Sequence, residues 1–564
     1  MTPFDRTHGV PDRVQPAQER GSVDPHQVDA GEQARVAAAK AAEYATVPPV
    51  TMSQETAVQY GARVLDPVTS VRLPGGKAPS ATVYVGERLV VRATTPEVAP
   101  SDALSPIDEI AKALGVVLQR ESTFPQKEAD LAGLGRGADI IATHWVDNIR
   151  IVPTPENAAY PVDAWPILRA LEDRTTSSPG PTSKAGLALD HLLTSAGRTM
   201  GTPYWVPTPY WVPTPYWVPT PAAEYAQPGT GGRTPVSVVL PDPALRAKPL
   251  KRRPVVAIPD TGLGQHPWFP AGGTATAEVT YHGILLGIDG PAGSGYPPPP
   301  TNPLDPTIAP DAGHGTFIAG LIRQLCPEAD ILAIPVMRDD GVVPESCLIN
   351  TLTLLLARHV EAMANQDPTG IVDVLSLSLG YYHESPSDTL MDGPLGALLA
   401  DFGRHGVAVI AAAGNATTLA PMYPAAFASQ STGFSPDRVP LASVGALNPD
   451  GTTVAYYSNA GTWVSTHRPG SSLVSTFPDD AGASAQASAR VDFAGRARST
   501  QDPDDFRSGF CTWSGTSFAA PVLAGQVAAA LVDDPTLPDL TVDAAVARGR
   551  AAMFGQIAEW AGMP

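Results

Sequence analysis

Residues 255–262 read Val255-Val256-Ala257-Ile258-Pro259-Asp260-Thr261-Gly262. Four apolar residues, mostly β-branched, run into a carboxylate and a glycine. That pattern predicts a buried strand over Val255–Ile258 that delivers a reactive side chain at its C-terminal end. The texture recurs downstream. Ile331–Val336, Ile371–Leu379, Val407–Ala413 and Leu441–Leu447 are further short apolar runs. Between them Ile349, Leu352, Leu355, Leu356 and Val360 fall at helical spacing, and Leu395–Arg404 reads as another helix. Buried strands separated by helices predict an α/β fold, a doubly wound and mainly parallel sheet with helices on both faces. In such sheets the chemistry sits at the carboxyl ends of the strands.

Two more places in this region combine a reactive side chain with small neighbours. Asp311-Ala312-Gly313-His314-Gly315-Thr316 leads into Phe317–Ile322, and Trp513-Ser514-Gly515-Thr516-Ser517-Phe518-Ala519-Ala520-Pro521 leads into an apolar helix through Val532. Each motif alone has a bland reading. A carboxylate after a strand is usually a turn residue, a histidine before a helix a satisfied surface group, and a serine before a helix an N-cap. In the order Asp260, His314, Ser517 on one α/β domain they say more. A serine hydroxyl needs a base within reach to take its proton. An imidazole can accept and return that proton near neutrality. A buried carboxylate fixes the imidazole tautomer and stabilises the imidazolium. His266 and His282 lack the Gly-His-Gly-Thr setting and are expected to be surface residues.

With Asp260-Thr261-Gly262, Gly313-His314-Gly315-Thr316, Ala412-Ala413-Gly414-Asn415 and Gly515–Pro521 in this order, residues from about 250 to 560 resemble the subtilisin-like serine peptidases, or subtilases. The order of the three reactive groups is that of subtilisin. The resemblance implies that Asp260 orients the histidine, His314 acts as general base and then acid, and Ser517 is the nucleophile. It implies that the Asn415 amide faces the developing oxyanion together with the Ser517 backbone N–H, a donor worth about 100–1000-fold in rate. It further implies that Ser378-Leu379-Gly380 and Ala412-Ala413-Gly414 line the P1 pocket and pair with the substrate backbone. The implied activity is that of a serine endopeptidase acting on polypeptides, with no cofactor required for catalysis. Structural calcium, which many subtilases hold, is left open: Asp339-Asp340 and Asp504-Asp505 lack a loop of alternating oxygen ligands, and solvated acidic turns are the alternative. Pro259 stands where the family usually has an aliphatic residue, Phe317 where a histidine is frequent, and Arg468-Pro469-Gly470 where Ala-Pro-Gly is common. None of these removes a catalytic group. The competing readings are a silent subtilase scaffold that binds peptides or partner proteins, and an esterase, which would lack its G-x-S-x-G elbow.

The rest of the 564 residues is less explicit. Residues 1–80 are polar and rich in Ala and Pro, and read as mostly disordered. Residues 81–198 alternate strand and helix signals, with an extended segment or hairpin suggested around Gly86-Glu87, and read as a small α+β domain. This is a prodomain-like cap or a targeting module. Residues 199–245 hold Pro-Tyr-Trp-Val-Pro-Thr three times, from Pro203 to Thr220, which reads as a stiff extended linker. Residues 246–564 form the catalytic domain. The net charge of −19 disfavours a nucleic-acid partner, since phosphate neutralisation needs surplus Lys and Arg. Three cysteines without CxxC spacing argue against a disulfide framework or a zinc ribbon. With no apolar leader and no run of ~20 apolar residues, the expectation is a cytoplasmic protein off the membrane.

Overall fold

The computed structural model describes residues 54–72, 77–92, 105–121, 133–159, 161–176, 187–195, 232–239, 241–289, 308–385, 393–428, 434–482 and 486–560. All belong to one compact unit, Val47–Pro564. The hexapeptide repeats lie outside the described residues.

The N-terminal body runs α1 (Gln54–Gln59), β1 (Ala62–Leu65), β2 (Thr82–Arg92), α2 (Ser105–Ala113), β3 (Val116–Glu121), α3 (Gly137–His144), β4 (Val146–Pro153), α4 (Ala164–Thr176) and β5 (Ala188–Ser195). Its sheet has the order β5-β2-β4-β3, antiparallel at every junction, with β1 also on β2. From β2 onward, and setting α3 aside, this is a split βαβ arrangement. Tyr84, Leu89, Ile149, Ile151, Trp165, Leu168 and Leu189 form its core.

The stretch read as mostly disordered holds two short elements, α1 and β1, and β1 finds its partner in β2, with Ala62 opposite Val85. Around Gly86-Glu87 the chain is one continuous extended strand and not a hairpin. Its register against β5 shifts between Tyr84 and Leu89, and that irregularity absorbs the glycine.

The second body holds β6 (Thr234–Pro235), β7 (Val255–Asp260), β8 (Ala275–Thr276), α5 (His314–Leu325), β9 (Asp330–Pro335), β10 (Val342–Pro344), α6 (Glu345–Asn365), β11 (Val374–Leu377), β12 (Leu379–Tyr382), α7 (Pro394–Arg404), β13 (Ala408–Ala412), β14 (Ala442–Leu447), β15 (Thr466–Pro469), β16 (Leu473–Thr476), β17 (Phe510–Trp513), α8 (Thr516–Val532) and α9 (Val542–Gln556). The central sheet has the order β15-β14-β13-β11-β7-β9-β8 and is parallel throughout. Every residue of β7, β11 and β13 is buried, so both faces of the sheet centre are covered. Helices α5 and α8 pack on each other, and α6 packs on α7.

β6 corrects the linker expectation. It joins a three-stranded sheet, β16-β17-β6, with Thr234 opposite Thr512. Just before it Arg233 is fully buried. Its guanidinium donates to Ala312 O (2.5 Å) and Ala309 O (2.9 Å) and lies over the Trp513 ring at 4.9 Å. Residues 233–235 are therefore part of the fold, whatever the preceding segment does.

The two bodies share a sheet. β5 lies between β10 and β12, antiparallel to both: Thr194 faces Val342 on one side and Gly380 on the other. Helix α3 packs on α6, where Asn350 bridges the backbone N–H and C=O of Val146 (2.9 and 3.0 Å). His144 Nε2 lies 2.6 Å from Asp401 Oδ2. Among the described residues no helix is long and apolar enough to cross a membrane.

Candidate active site

Asp260 ends β7, level with Pro335 of β9. Pro259 does not displace it. β11 pairs with β7 only at Val256 and Ala257, so the missing Pro259 N–H falls beyond that ladder. The Asp260 carbonyl still accepts from Val336 N–H at 2.8 Å. Its Oδ1 accepts the Thr261 N–H at 2.8 Å.

His314 opens α5, turned into place by Gly313 at φ 77°. The loop after Asp260 and the first turn of α5 are stitched together twice. Gly315 N–H donates to Thr261 Oγ1 (3.0 Å), and Gly264 N–H donates to Thr316 Oγ1 (2.8 Å). The result puts His314 Nδ1 at 2.8 and 3.0 Å from the two Asp260 oxygens. Both side chains are fully buried. Burial depresses the imidazole pKa, but the charge of Asp260 and its hydrogen bond outweigh that and raise it above the ordinary value. The ring is caged edge-on by Trp513 (5.5 Å) and tilted against Phe518 (5.2 Å). Its other nitrogen, Nε2, is buried and has no hydrogen-bond partner among the described residues.

Ser517 is the second residue of α8. Its Oγ donates to Ser378 O over a long 3.2 Å, and Ser378 Oγ donates to Ser517 O at 2.8 Å. Thr516 ties in the next segment. Its N–H and hydroxyl both donate to Asn415 Oδ1 at 2.9 Å, and its Oγ1 accepts the Gly414 N–H at 2.9 Å. Held by its oxygen, the Asn415 amide presents its nitrogen away from Thr516. These bonds make two groups, Asp260 with His314 and Ser378 with Ser517, Thr516 and Asn415, and the contact of the His314 ring with Phe518, next to Ser517, brings them side by side.

The substrate-contact residues divide. Leu379 and Gly380 lie on β12 and already pair with Ser195 and Thr194 of β5. The backbone of the Ala412–Gly414 segment is committed inside the fold. Ala413 N–H donates to Val444 O, and Ala413 O accepts from Asn459 Nδ2. Gly414 O accepts the Asn459 N–H. Any substrate pairing along Ala413 and Gly414 would have to share or replace these bonds.

Several participants were not visible in the sequence. Ser195 N–H donates to Gly341 O (2.8 Å), and its hydroxyl donates to Asp311 Oδ1 (2.5 Å). Asp311 is buried three residues before His314, and its carbonyl accepts the His314 N–H at 3.0 Å. Its place two residues before the Gly-His-Gly-Thr turn was the only available signal. His266 is not a surface residue but is buried beside Trp268, Phe269 and Phe510, with burial lowering its pKa. His282 is exposed and faces Glu361 at 2.9 Å.

A family model described as the Subtilase family matches residues 251–551, more than half of the chain. A curated relative, the subtilase-type proteinase psp3 of Schizosaccharomyces pombe, is 27% identical over 237 residues, covering 41% of this chain and 42% of that protein. The chain thus spans less than half the length of the curated relative it matches. A solved structure of a cold adapted subtilisin-like serine proteinase aligns at 20% identity over 52% of this chain and 79% of its own, with a TM-score of 0.32.

Proposed function

The chain belongs to the subtilase family, and from that premise we propose that it is a serine endopeptidase working through an acyl-enzyme. The observation that carries this reading is the state of His314. Its Nδ1 is held by Asp260, while Nε2 is buried with no hydrogen-bond partner among the described residues, and the ring lies against Trp513 and Phe518 of the turn that bears Ser517. Asp260 keeps the proton on Nδ1, so the Nε2 lone pair is ready to accept. The long bond from Ser517 Oγ to Ser378 O is weak enough to be exchanged for one to Nε2 by rotation about χ1. Nε2 then takes the hydroxyl proton as Oγ bonds to the scissile carbonyl carbon. The oxyanion meets the Ser517 N–H, in the first turn of α8 where backbone donors lack intrahelical acceptors, and the Asn415 amide. His314 returns the proton to the leaving amine, and water repeats the sequence to release the acid. No step calls for a cofactor.

The N-terminal body is proposed to inhibit this site from within the same chain. A substrate backbone needs the edge of β12, and β5 occupies it with Ser195 reaching Asp311. Three buried cysteines without disulfides suit a reducing compartment, in line with an intracellular place of action.

The test is labelling by a fluorophosphonate probe. The Ser517→Ala variant should not label, and the wild type should label slowly when intact. A fragment starting at residue 232, which keeps Arg233 and β6, should label faster. If that fragment folds and stays unlabelled, the catalytic reading fails and a peptide-binding scaffold takes its place. Labelling of intact chain and fragment at equal rates would remove only the inhibitory role.

A further inference from the structure

His191 sits on β5 of the N-terminal body, and His383 and Glu384 follow β12 of the catalytic body. We propose that His191, His383 and Glu384 form a transition-metal site, suited to zinc, that clamps β5 onto the catalytic domain. This goes beyond the peptidase reading and does not depend on it.

The geometry is the first argument. One ligand atom from each residue lies within 4.8 Å of the others. His191 Nε2 is 2.7 Å from Glu384 Oε2, and His383 Nδ1 is 3.4 Å from the same oxygen. The His191 and His383 rings are 4.9 Å apart. Three donors thus converge on one point, two nitrogens and a carboxylate oxygen. That is a zinc-type set rather than the all-oxygen set of calcium or magnesium.

The surroundings are the second argument. His191 Nδ1 lies 2.7 Å from Glu345 Oε2, and the Tyr381 hydroxyl donates to Glu345 Oε1 at 2.9 Å. A carboxylate behind the far nitrogen fixes the tautomer of a metal-bound imidazole, and Glu345 stands in that position. The Tyr381 ring stacks on His191 at 4.5 Å and holds its plane.

Charge is the third. Two buried carboxylates, Glu345 and Glu384, flank His191 at 2.7 Å each, and a divalent ion held by neutral imidazoles would balance them. The neighbouring Arg88–Asp190 pair at 3.1 Å neutralises itself and leaves that balance unchanged. Loading asks one concession. His383 Nδ1 now accepts the Ser385 N–H at 3.0 Å and must give up that bond. His383 is the partly exposed member, so the ion enters from its side.

The experiment uses the full chain with Ser517→Ala, which cannot process itself, stripped with EDTA and titrated with zinc chloride by calorimetry near neutral pH. The expected result is one zinc per chain with Kd below about 1 µM, weakened at least ~10–100-fold by His383→Ala. Cobalt(II) added in place of zinc should give an absorption band in the visible that is lost in His383→Ala. Circular dichroism melting checks that this variant folds, and His383→Asn serves if it does not. A folded chain that binds no zinc at about 10 µM free metal overturns the proposal, as does undiminished binding in both His383 variants.

Discussion

Gly315→Ala is the sharpest perturbation of the catalytic arrangement that leaves every catalytic group in the chain. A Cβ at Gly315 would stand 2.3 Å from Gly262 O and 3.3 Å from Asp260 Oδ1. Ordinary carbon–oxygen contacts lie near ~3.3 Å, so the two segments must part by about 1 Å. The first and closest contact is backbone and cannot swing away like the end of a side chain. Gly262 is held at φ 87°, and the Gly315 N–H is bonded to Thr261 Oγ1. Parting these segments stretches the 2.8 Å bond from His314 to Asp260 toward about 3.8 Å, where it no longer orients the ring. A misplacement of ~1 Å costs about 100-fold in rate. Full loss of the carboxylate's role costs about 10,000-fold. The expected fall in kcat therefore lies between these bounds, with KM nearly unchanged. Stability should move less. Overpacking costs about 1–3 kcal/mol, while the better helix propensity of Ala returns up to about 1 kcal/mol. The assay is hydrolysis of a peptide p-nitroanilide by the matured enzyme, beside a thermal melt. A folded Gly315→Ala enzyme with kcat within about threefold of wild type would refute the reasoning.

Other outcomes follow from the same geometry. Asp260→Asn should lower kcat about 10,000-fold, since an amide N–H facing His314 Nδ1 selects the wrong tautomer. In the wild type, activity should rise with pH through an imidazole pKa above the usual ~6.5, and the residual activity of Asp260→Asn should show that limb at lower pH. Ser195→Ala removes a bond to a charged partner worth about 1.5–3 kcal/mol. Fluorophosphonate labelling of the intact chain should then accelerate about 10–100-fold, and an unchanged rate would show that β5 does not guard the site. His359 is buried and neutral: its Nδ1 accepts the Val372 N–H and its Nε2 donates to His405 O, and burial lowers its pKa to about 4. A depressed histidine gives stability that is full above the unfolded pKa near 6.5 and is lost as pH falls toward 4, on the order of 3 kcal/mol here. Melting curves of His359→Gln should be flatter across that window.

The central sheet could be read from the sequence because its strands are buried on both faces. Val255–Ile258 and Val407–Ala413 are unbroken apolar runs, and each ends where small residues mark the strand end. Asp260, His314 and Ser517 stood out because each sits in a turn that needs glycine or another small residue. What escaped lacks periodicity. β6 is two residues long, and its partner strand begins at Phe510. Ser195 ends a strand whose neighbours, β10 and β12, are themselves only three and four residues long. Tyr381 and His383 contact His191 across the two bodies, and the Tyr382 hydroxyl accepts from Asn459. Pairings of this kind depend on three-dimensional proximity, which local composition does not encode.

If β5 guards the site as proposed, its position between β10 and β12 also sets a competition. While the N-terminal body remains joined to the enzyme, its strand meets the channel at an effective concentration of order millimolar. A free peptide at micromolar levels is outcompeted by that tethered strand even if its intrinsic affinity is equal. Once the connection is severed, the same strand becomes an ordinary soluble ligand, diluted with everything else. One cut can therefore change occupancy by about a thousandfold without altering a single contact in the channel.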